Sequence, residues 1–180
     1  MFAQIISFVL DVIAGLLAGA CLLRLYMQYQ RIGFGNPVGR FVFALTDWLV
    51  LPLRKVIPAF RRLDTASLVG GYLIQLAQYA ILALVIGYSL AAVPLLALFG
   101  LLRLVISGLI GLMIVYAVLS WVRADSPIVD VIDRICAPLL RPLRRVIPLV
   151  GGFDLSPLAF LVVLQVAAIV LANIQQAVLR

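Results

Sequence analysis

Residues 51–58 read LPLRKVIP, and residues 140–148 read LRPLRRVIP. Nearly the same proline-framed basic phrase thus occurs twice in 180 residues, ninety positions apart. Between 52–58 and 142–148 six of seven residues are identical, and the seventh exchanges Lys55 for Arg145. The offset holds well beyond the phrase and needs no gap: Tyr26 falls on Tyr116, Pro37 on Pro127, Leu49 on Leu139, Asp64 on Asp154 and Gln75 on Gln165. Self-similarity at one fixed spacing points to a structural unit used twice. It divides the chain into residues 1–90 and 91–180.

Composition identifies the solvent. The chain is 66% hydrophobic and 12% charged, with a mean hydropathy of +1.23, whereas a soluble domain carries about a quarter charged residues. From Thr65 to Leu102 there is no Asp, Glu, Lys or Arg. A spanning helix needs roughly 20 mostly apolar residues, so this run holds one span, a turn and the start of another. Too little polar sequence remains to clothe a soluble core, and the chain reads as an integral membrane protein. Spans are expected near 3–25, 66–88, 95–119 and 157–178. The N-terminal MFAQIISFVLDVIAG has no basic n-region and is interrupted by Asp11, which fits an uncleaved span better than a signal peptide. LAGAC, ending at Cys21, faintly resembles a lipoprotein cleavage site but lacks the same basic lead. Cys21 and Cys136 are not repeat-equivalent and form no C-x-x-C pair, so no disulfide framework is implied.

Each unit carries the same parts between its spans. Asn36-Pro37 and Ser126-Pro127 are helix-start signals, an N-cap side chain followed by a residue with no N–H to orphan. In PIVDVIDRICAPLL, Ile128, Val131, Ile132 and Ile135 share one face and Asp130, Asp133 and Arg134 the other. That pattern describes an amphipathic helix lying in the membrane interface. The first-half counterpart, residues 37–53, is more apolar and either lies on the membrane or re-enters it. Pro52 and Pro142 are expected to stop these helices, and Pro58 and Pro148 to hold the preceding residues extended. Asp64 and Asp154 then stand where a carboxylate caps the next span and meets the positive end of its dipole. The fold class is therefore an all-α membrane protein: four transmembrane helices from two parallel tandem repeats, each with an interfacial or re-entrant amphipathic helix between its two spans.

The net charge of +7 is a matter of orientation more than of nucleic acid. Eleven of the fourteen basic residues fall in two loops: Arg31, Arg40, Arg54, Lys55, Arg61 and Arg62 in one, and Arg123, Arg134, Arg141, Arg144 and Arg145 in the other. The connection from Gly87 to Pro94 has none. Basic loops face the cytoplasm, which puts both termini outside. The pairs Arg54–Lys55 and Arg144–Arg145, framed by prolines, are candidates for contact with anionic lipid or a partner; each juxtamembrane basic residue gains about 1 kcal/mol near an anionic leaflet.

At this point LLRLYMQYQ, LPLRKVIP and LDTASL in the first half, with SWVRADSP, PLLRPLRRVIP and GGFDLSP in the second, resemble the YggT (YlmG) family of bacterial and plastid membrane proteins over nearly the whole chain. The resemblance implies a multi-pass bacterial inner (plasma) membrane protein. Its relatives are connected with osmotic stress tolerance, with division and nucleoid organisation, and with cytochrome b assembly in chloroplasts, and they share no biochemical activity. Trp48 departs from the family, which tends to show proline there, as Pro138 does here.

Known chemistries are mostly excluded. There is no histidine and no glutamate, which removes His-ligated haem, most zinc sites and His-based triads. No P-loop or G-x-G-x-x-G occurs. The expectation is a non-enzyme without cofactor or catalytic residues: a scaffold or assembly factor linked to envelope or osmotic stress, division or membrane-complex biogenesis. The alternative is a small ion channel or transporter in osmotic balance. Expected partners are membrane lipids, anionic ones above all, and an unidentified membrane protein, with no nucleic acid. Gly15 and Gly19 form a G-x-x-x-G whose small face serves either packing within the bundle or a homo-oligomer. Gln75 and Gln165 suit interhelical hydrogen bonds or, alternatively, a polar path. Asp11 and Arg103, 15 and 13 residues before Tyr26 and Tyr116, are the charges left within spans. Intramembrane charges tend to pair inside a bundle, which predicts an Asp11–Arg103 ion pair between spans one and three; separate excursions to water and headgroups are the alternative.

Overall fold

The computed structural model describes residues 1–58, 63–87, 89–122, 126–147 and 154–178. Arg61, Arg62, Arg123 and Pro148, named above, lie outside them. Among the described residues six α-helices follow one another: α1 (Phe2–Tyr29), α2 (Pro37–Val56), α3 (Thr65–Ile86), α4 (Val93–Val122), α5 (Pro127–Arg144) and α6 (Ser156–Val178), with a 3₁₀ turn at Leu90–Ala92 before α4. α1, α3, α4 (with its 3₁₀ turn) and α6 are long and apolar enough to cross a membrane. Their side chains are mostly exposed within the bundle, including Phe8, Leu84, Val162 and Ile169, as expected where lipid replaces water as the neighbour.

α1 and α3 run in opposite directions, since Cys21 lies beside Gly70 and Asp11 beside Gln78. α3 packs on α4, α4 on α6, and α1 also reaches α4. α2 packs against α1 and α3, and α5 against α4 and α6. The two cores carry this arrangement. Cys21, Val50 and Ala66 form one, and Met113, Cys136, Leu140 and Leu164 the other. Val50 and Leu140, ninety positions apart, are both fully buried. A third cluster, Met27, Ile32, Val131 and Ile135, joins the end of α1 to α5.

Local chemistry explains how these elements end. α1 stops in a Schellman turn: Ile32 N–H donates to Met27 O at 2.9 Å and Arg31 N–H to Gln28 O at 3.1 Å. Arg31 takes the left-handed position, φ 57°, that glycine usually occupies. Ile32 then packs on Met27 in the linking cluster, the apolar contact that commonly accompanies this turn. α2 begins at Asn36, whose Oδ1 accepts from Gly39 N–H at 2.8 Å, and α5 at Ser126, whose Oγ accepts from Ile128 N–H at 3.3 Å.

Two expectations need correction. Pro52 and Pro142 do not stop their helices, since α2 continues to Val56 and α5 to Arg144. Each proline removes one N–H, which frees the carbonyl four residues back, at Trp48 and Pro138, but its φ of about −65° still fits a helix, and each helix runs on for about a turn or less. Ile57, before Pro58, is extended (φ −111°, ψ 105°). The stripe that α5 buries is Val131, Ile135, Cys136 and Leu140, while Ile128 is exposed. This helix lays its buried stripe on α1, α4 and α6.

The small residues of α1 also act differently from the simplest expectation. Ala14, Ala18 and Cys21 are buried, and a Cβ on Gly71 would meet Ala18 O and Cys21 Cβ, both at 3.6 Å. A Cβ on Gly19 would have nothing within 4 Å, and one on Gly15 only Leu104 at 4.0 Å. The intimate α1–α3 contact therefore runs through the alanine–cysteine edge. Gly39 is tight against backbone, because a Cβ there would stand 2.5 Å from the backbone oxygen of Phe34, whereas the equally close neighbours at Gly100 are side chains, Gln75 and Tyr79. Gly39→Ala should cost about 1–3 kcal/mol through overpacking, whereas Gly19→Ala, in a helix interior with room for the methyl, should be neutral or stabilise by up to about 1 kcal/mol. Thermal unfolding of both variants in detergent tests this, and equal losses would contradict the packing described.

Candidate functional site

Charged side chains gather where α1 ends and α3 begins. Arg24 sits one turn before the end of α1 and is 2% exposed. Its Nη1 donates to Thr46 Oγ1 at 2.7 Å and to Asp47 Oδ1 at 2.6 Å, both on α2. The guanidinium carbon lies 4.6 Å from the Phe43 ring centroid, and Phe43 stacks on Phe34. Its Nε has no hydrogen-bond partner, and Asp64 Oδ2 stands 4.0 Å away. One residue thereby fixes three elements to each other.

Asp64 is 1% exposed and stands at the N-cap of α3, but its carboxylate caps no backbone N–H. It is claimed instead by Arg54, through a short Nη2 contact and an Nε bond of 3.3 Å, and by the Ser67 hydroxyl at 2.6 Å. Arg54 Nη2 reaches on to Gln28 Oε1 at 2.9 Å. Burial alone would raise the Asp64 pKa. The hydrogen bonds from Arg54 and Ser67, with the charges of Arg54 and Arg24, outweigh that and hold it below the usual carboxylate value.

The corresponding residues ninety positions on form a looser seam. Arg144 Nε donates to Asp154 Oδ2 at 2.8 Å and its Nη2 to the Tyr116 hydroxyl at 2.7 Å, and Tyr116 donates to Asp133 Oδ1 at 3.3 Å. Asp154 does cap its helix, since Oδ1 accepts from Ser156 N–H at 2.9 Å. Its pKa is also lowered: burial would raise it, but the Ser156 and Arg144 hydrogen bonds prevail. Tyr26 links the two seams by donating to Ile135 O at 2.9 Å. Of the four basic residues singled out in the sequence, Arg54 and Arg144 are thus spent on internal pairs. Lys55 and Arg145 are exposed, with no ion pair among the described residues.

A polar cavity of about 240 Å³ lies elsewhere, between α1, α3 and α4. Asp11, Gln75, Gln78, Tyr79, Arg103 and Ser107 line it. The sequence suggests an Asp11–Arg103 ion pair. The two share this cavity, but no contact within 4.0 Å joins them, and Asp11 accepts from Gln78 Nε2 instead. The reason is geometric: α3 brings a buried amide to Asp11, while Arg103 stands exposed on α4. Gln75 is buried at the cavity, whereas Gln165 is exposed on α6, so the matched glutamines do not share an environment.

Sequence reasoning missed Arg24, Thr46, Asp47 and Gln78. By sequence Arg24 looks like a mere span boundary; a lone cation a little over one turn before the helix end is its only signal. Among the described residues no group of three or more His, Cys, Asp or Glu is placed to hold a metal. Burial pushes the Cys136 thiol up to about 12, helped by the Asp133 charge, which makes it a core group and not a nucleophile.

A family model described as CCB3/YggT matches residues 3–85 and 95–175. The chain is similar to the uncharacterized protein YggT of Escherichia coli K12, 36% identical over 178 residues that cover 96% of this chain and 92% of the relative. It is similar also to an uncharacterized protein encoded in the proC 3′ region of Vibrio alginolyticus, 31% identical over 93% of this chain and 94% of that one. An uncharacterized protein of Pseudomonas aeruginosa is 33% identical over 93% and 88% respectively. No solved structure matches.

The two seams should respond unequally to loss of their acid. Asp64→Asn removes the charge of a buried carboxylate that serves exposed Arg54 and stands 4.0 Å from buried Arg24, and should cost about 3 kcal/mol, while Asp154→Asn, at a partly exposed pair, should cost about 1 kcal/mol or less. A lowered carboxylate pKa stabilises fully above the unfolded value, near 4 for aspartate, and the benefit disappears as pH falls through the native value. The wild type should therefore lose stability on acidification below about pH 4, with a flatter profile in that window for Asp64→Asn. Parallel profiles for the two proteins would place the acid-sensitive group elsewhere.

Proposed function

Because the chain belongs to the CCB3/YggT family, we propose that it is a non-enzymatic membrane scaffold or assembly factor that works through a basic face on the cytoplasmic side. In this reading it consists of two YggT-type units, residues 1–90 and 91–180, in a bacterial inner membrane with both termini outside. The two segments matched by the family model support the division, as do the Arg54–Asp64 and Arg144–Asp154 pairs ninety positions apart. The confinement of basic residues to two loops supports the orientation.

The observation that carries the proposal is the outer face of α2. Phe41, Trp48 and Leu51 are all exposed, and at intervals of seven and three residues they share one helix face. Lys55 continues the same stripe one turn further on. An aromatic stripe ending in an unpaired cation suits the headgroup level of a bilayer, where amphipathic rings and basic residues collect. Lys55 and Arg145 then meet anionic headgroups or an acidic partner while Arg54 and Arg144 hold the protein together.

The polar cavity favours a second reading, a small channel or transporter, because ionisable groups inside spans are costly and usually functional. Liposomes separate the two. The scaffold reading expects Lys55→Gln with Arg145→Gln to weaken binding to anionic vesicles several-fold, with thermal stability unchanged, since each lost cation forfeits about 1 kcal/mol of lipid attraction. It also expects no ion flux above protein-free controls under an osmotic gradient. Flux abolished by Asp11→Asn would establish the channel instead. Reporter fusions at Pro94 should read as periplasmic, and a cytoplasmic signal there would reverse the orientation.

A further inference from the structure

The cavity between α1, α3 and α4 contains complementary charges that do not neutralise each other. Gln78 is 5% exposed; its Nε2 is used on Asp11 Oδ1, and its buried Oε1 has no hydrogen-bond partner. The second oxygen of Asp11 is left for another donor. One wall therefore presents acceptors that call for N–H groups. Arg103 lines the same cavity with up to five donors and has no ion pair within 4.0 Å among the described residues. This wall calls for an anion. Tyr79 and Ser107 add hydroxyls between them.

Depth makes the mismatch costly. At ~1.5 Å rise per residue, Asp11 and Gln78 lie roughly 12–14 Å inside the ends of α1 and α3 that are remote from the basic seams. A charge within the hydrocarbon costs about 2.5–3.5 kcal/mol even on the mildest scale. Water could fill the hydrogen bonds but would leave both charges uncompensated. A molecule with a primary ammonium for Asp11 and Gln78, and an anionic group a few bonds away for Arg103, satisfies both walls and adds no net charge.

We propose that this cavity binds such a zwitterion, by its ammonium at Asp11 and Gln78 and its phosphate or carboxylate at Arg103. Two sources share that chemistry: the headgroup of an ethanolamine phospholipid and a free amino acid. The surroundings of the mouth favour the lipid. Asp11, Arg103 and Ser107 form the exposed rim, and Phe8 and Val12 beside Asp11, with Leu102 beside Arg103, are exposed too. Acyl chains have an apolar surface to follow from the site. The inference is independent of the scaffold reading, which concerns the basic face.

The test compares lipids that differ only at nitrogen. Full-length protein in nanodiscs would be titrated with phosphatidylethanolamine and with phosphatidylcholine, followed by thermal unfolding and by native mass spectrometry of retained lipid. Choline has no N–H, so the ethanolamine lipid should bind about tenfold tighter or better, the loss expected when buried acceptors lack a charged donor. Asp11→Asn should reduce the preference, while Arg103→Gln, which loses the contact to the phosphate common to both lipids, should weaken retention of each. Competition by glycine or glycerophosphoethanolamine at millimolar concentration would support the site and make its ligand a soluble zwitterion. Equal retention of both lipids by the wild type, with no effect of either soluble compound, would overturn the proposal, as would a preference for ethanolamine that survives Asp11→Asn or lipid retention unchanged by Arg103→Gln.

Discussion

A single buried guanidinium governs the geometry of the first half. Arg24 is shut away from solvent and held by Thr46 and Asp47 of α2, close to Asp64 at the head of α3. Removing a charge from water costs several kcal/mol, recovered only if its partners are in place. Few arrangements of α1, α2 and α3 bring an alcohol and two carboxylates to one point. Arg24 thus acts less as a source of net stability than as a selector, penalising every other register of α2 across the end of the bundle.

The second half has no buried charge at the matching positions. Ninety positions after Arg24, Thr46 and Asp47 stand Ile114, Cys136 and Ala137. All three polar residues are replaced together, as expected if none is tolerable alone. Cys136 is fully buried, but Ile114 is half exposed, so that point of α4 is not enclosed as Arg24 is on α1 and needs no buried partner. What remains common is the Arg–Asp link between the end of the amphipathic helix and the start of the next span, 1% exposed at Asp64 and partly exposed at Asp154. The halves join through Met27, Ile32, Val131 and Ile135 and the Tyr26 bond to Ile135.

Much of this architecture is legible in the sequence for reasons that are local. Hydropathy marks helices that must face lipid, and Asn36 and Ser126 announce helix starts because a cap is settled by its own neighbours. The failures are all long-range. Pro52 and Pro142 look like stops, but whether a proline ends a helix depends on which group satisfies the freed carbonyl. Asp64 resembles a backbone cap, yet Arg54, ten residues earlier, occupies its carboxylate. Gln75 and Gln165 match in sequence, but α3 is enclosed by neighbours where α6 is open on its outer side. The Asp11–Arg103 pairing rests on matched depth alone, and depth does not reveal that Gln78 reaches Asp11 first.

The Arg24 cluster also imposes an order on synthesis. Its partner carboxylates are encoded 23 and 40 residues downstream, so α1 leaves the ribosome with a cation that nothing yet neutralises. At about 5–20 residues per second, Asp64 follows roughly 2–8 s later. During that interval a charge within the hydrocarbon would cost about 2.5–3.5 kcal/mol, which favours Arg24 at the aqueous edge of the bilayer and resists further passage of α1. The buried charge that later locks the folded protein is, in the nascent chain, a temporary doorstop.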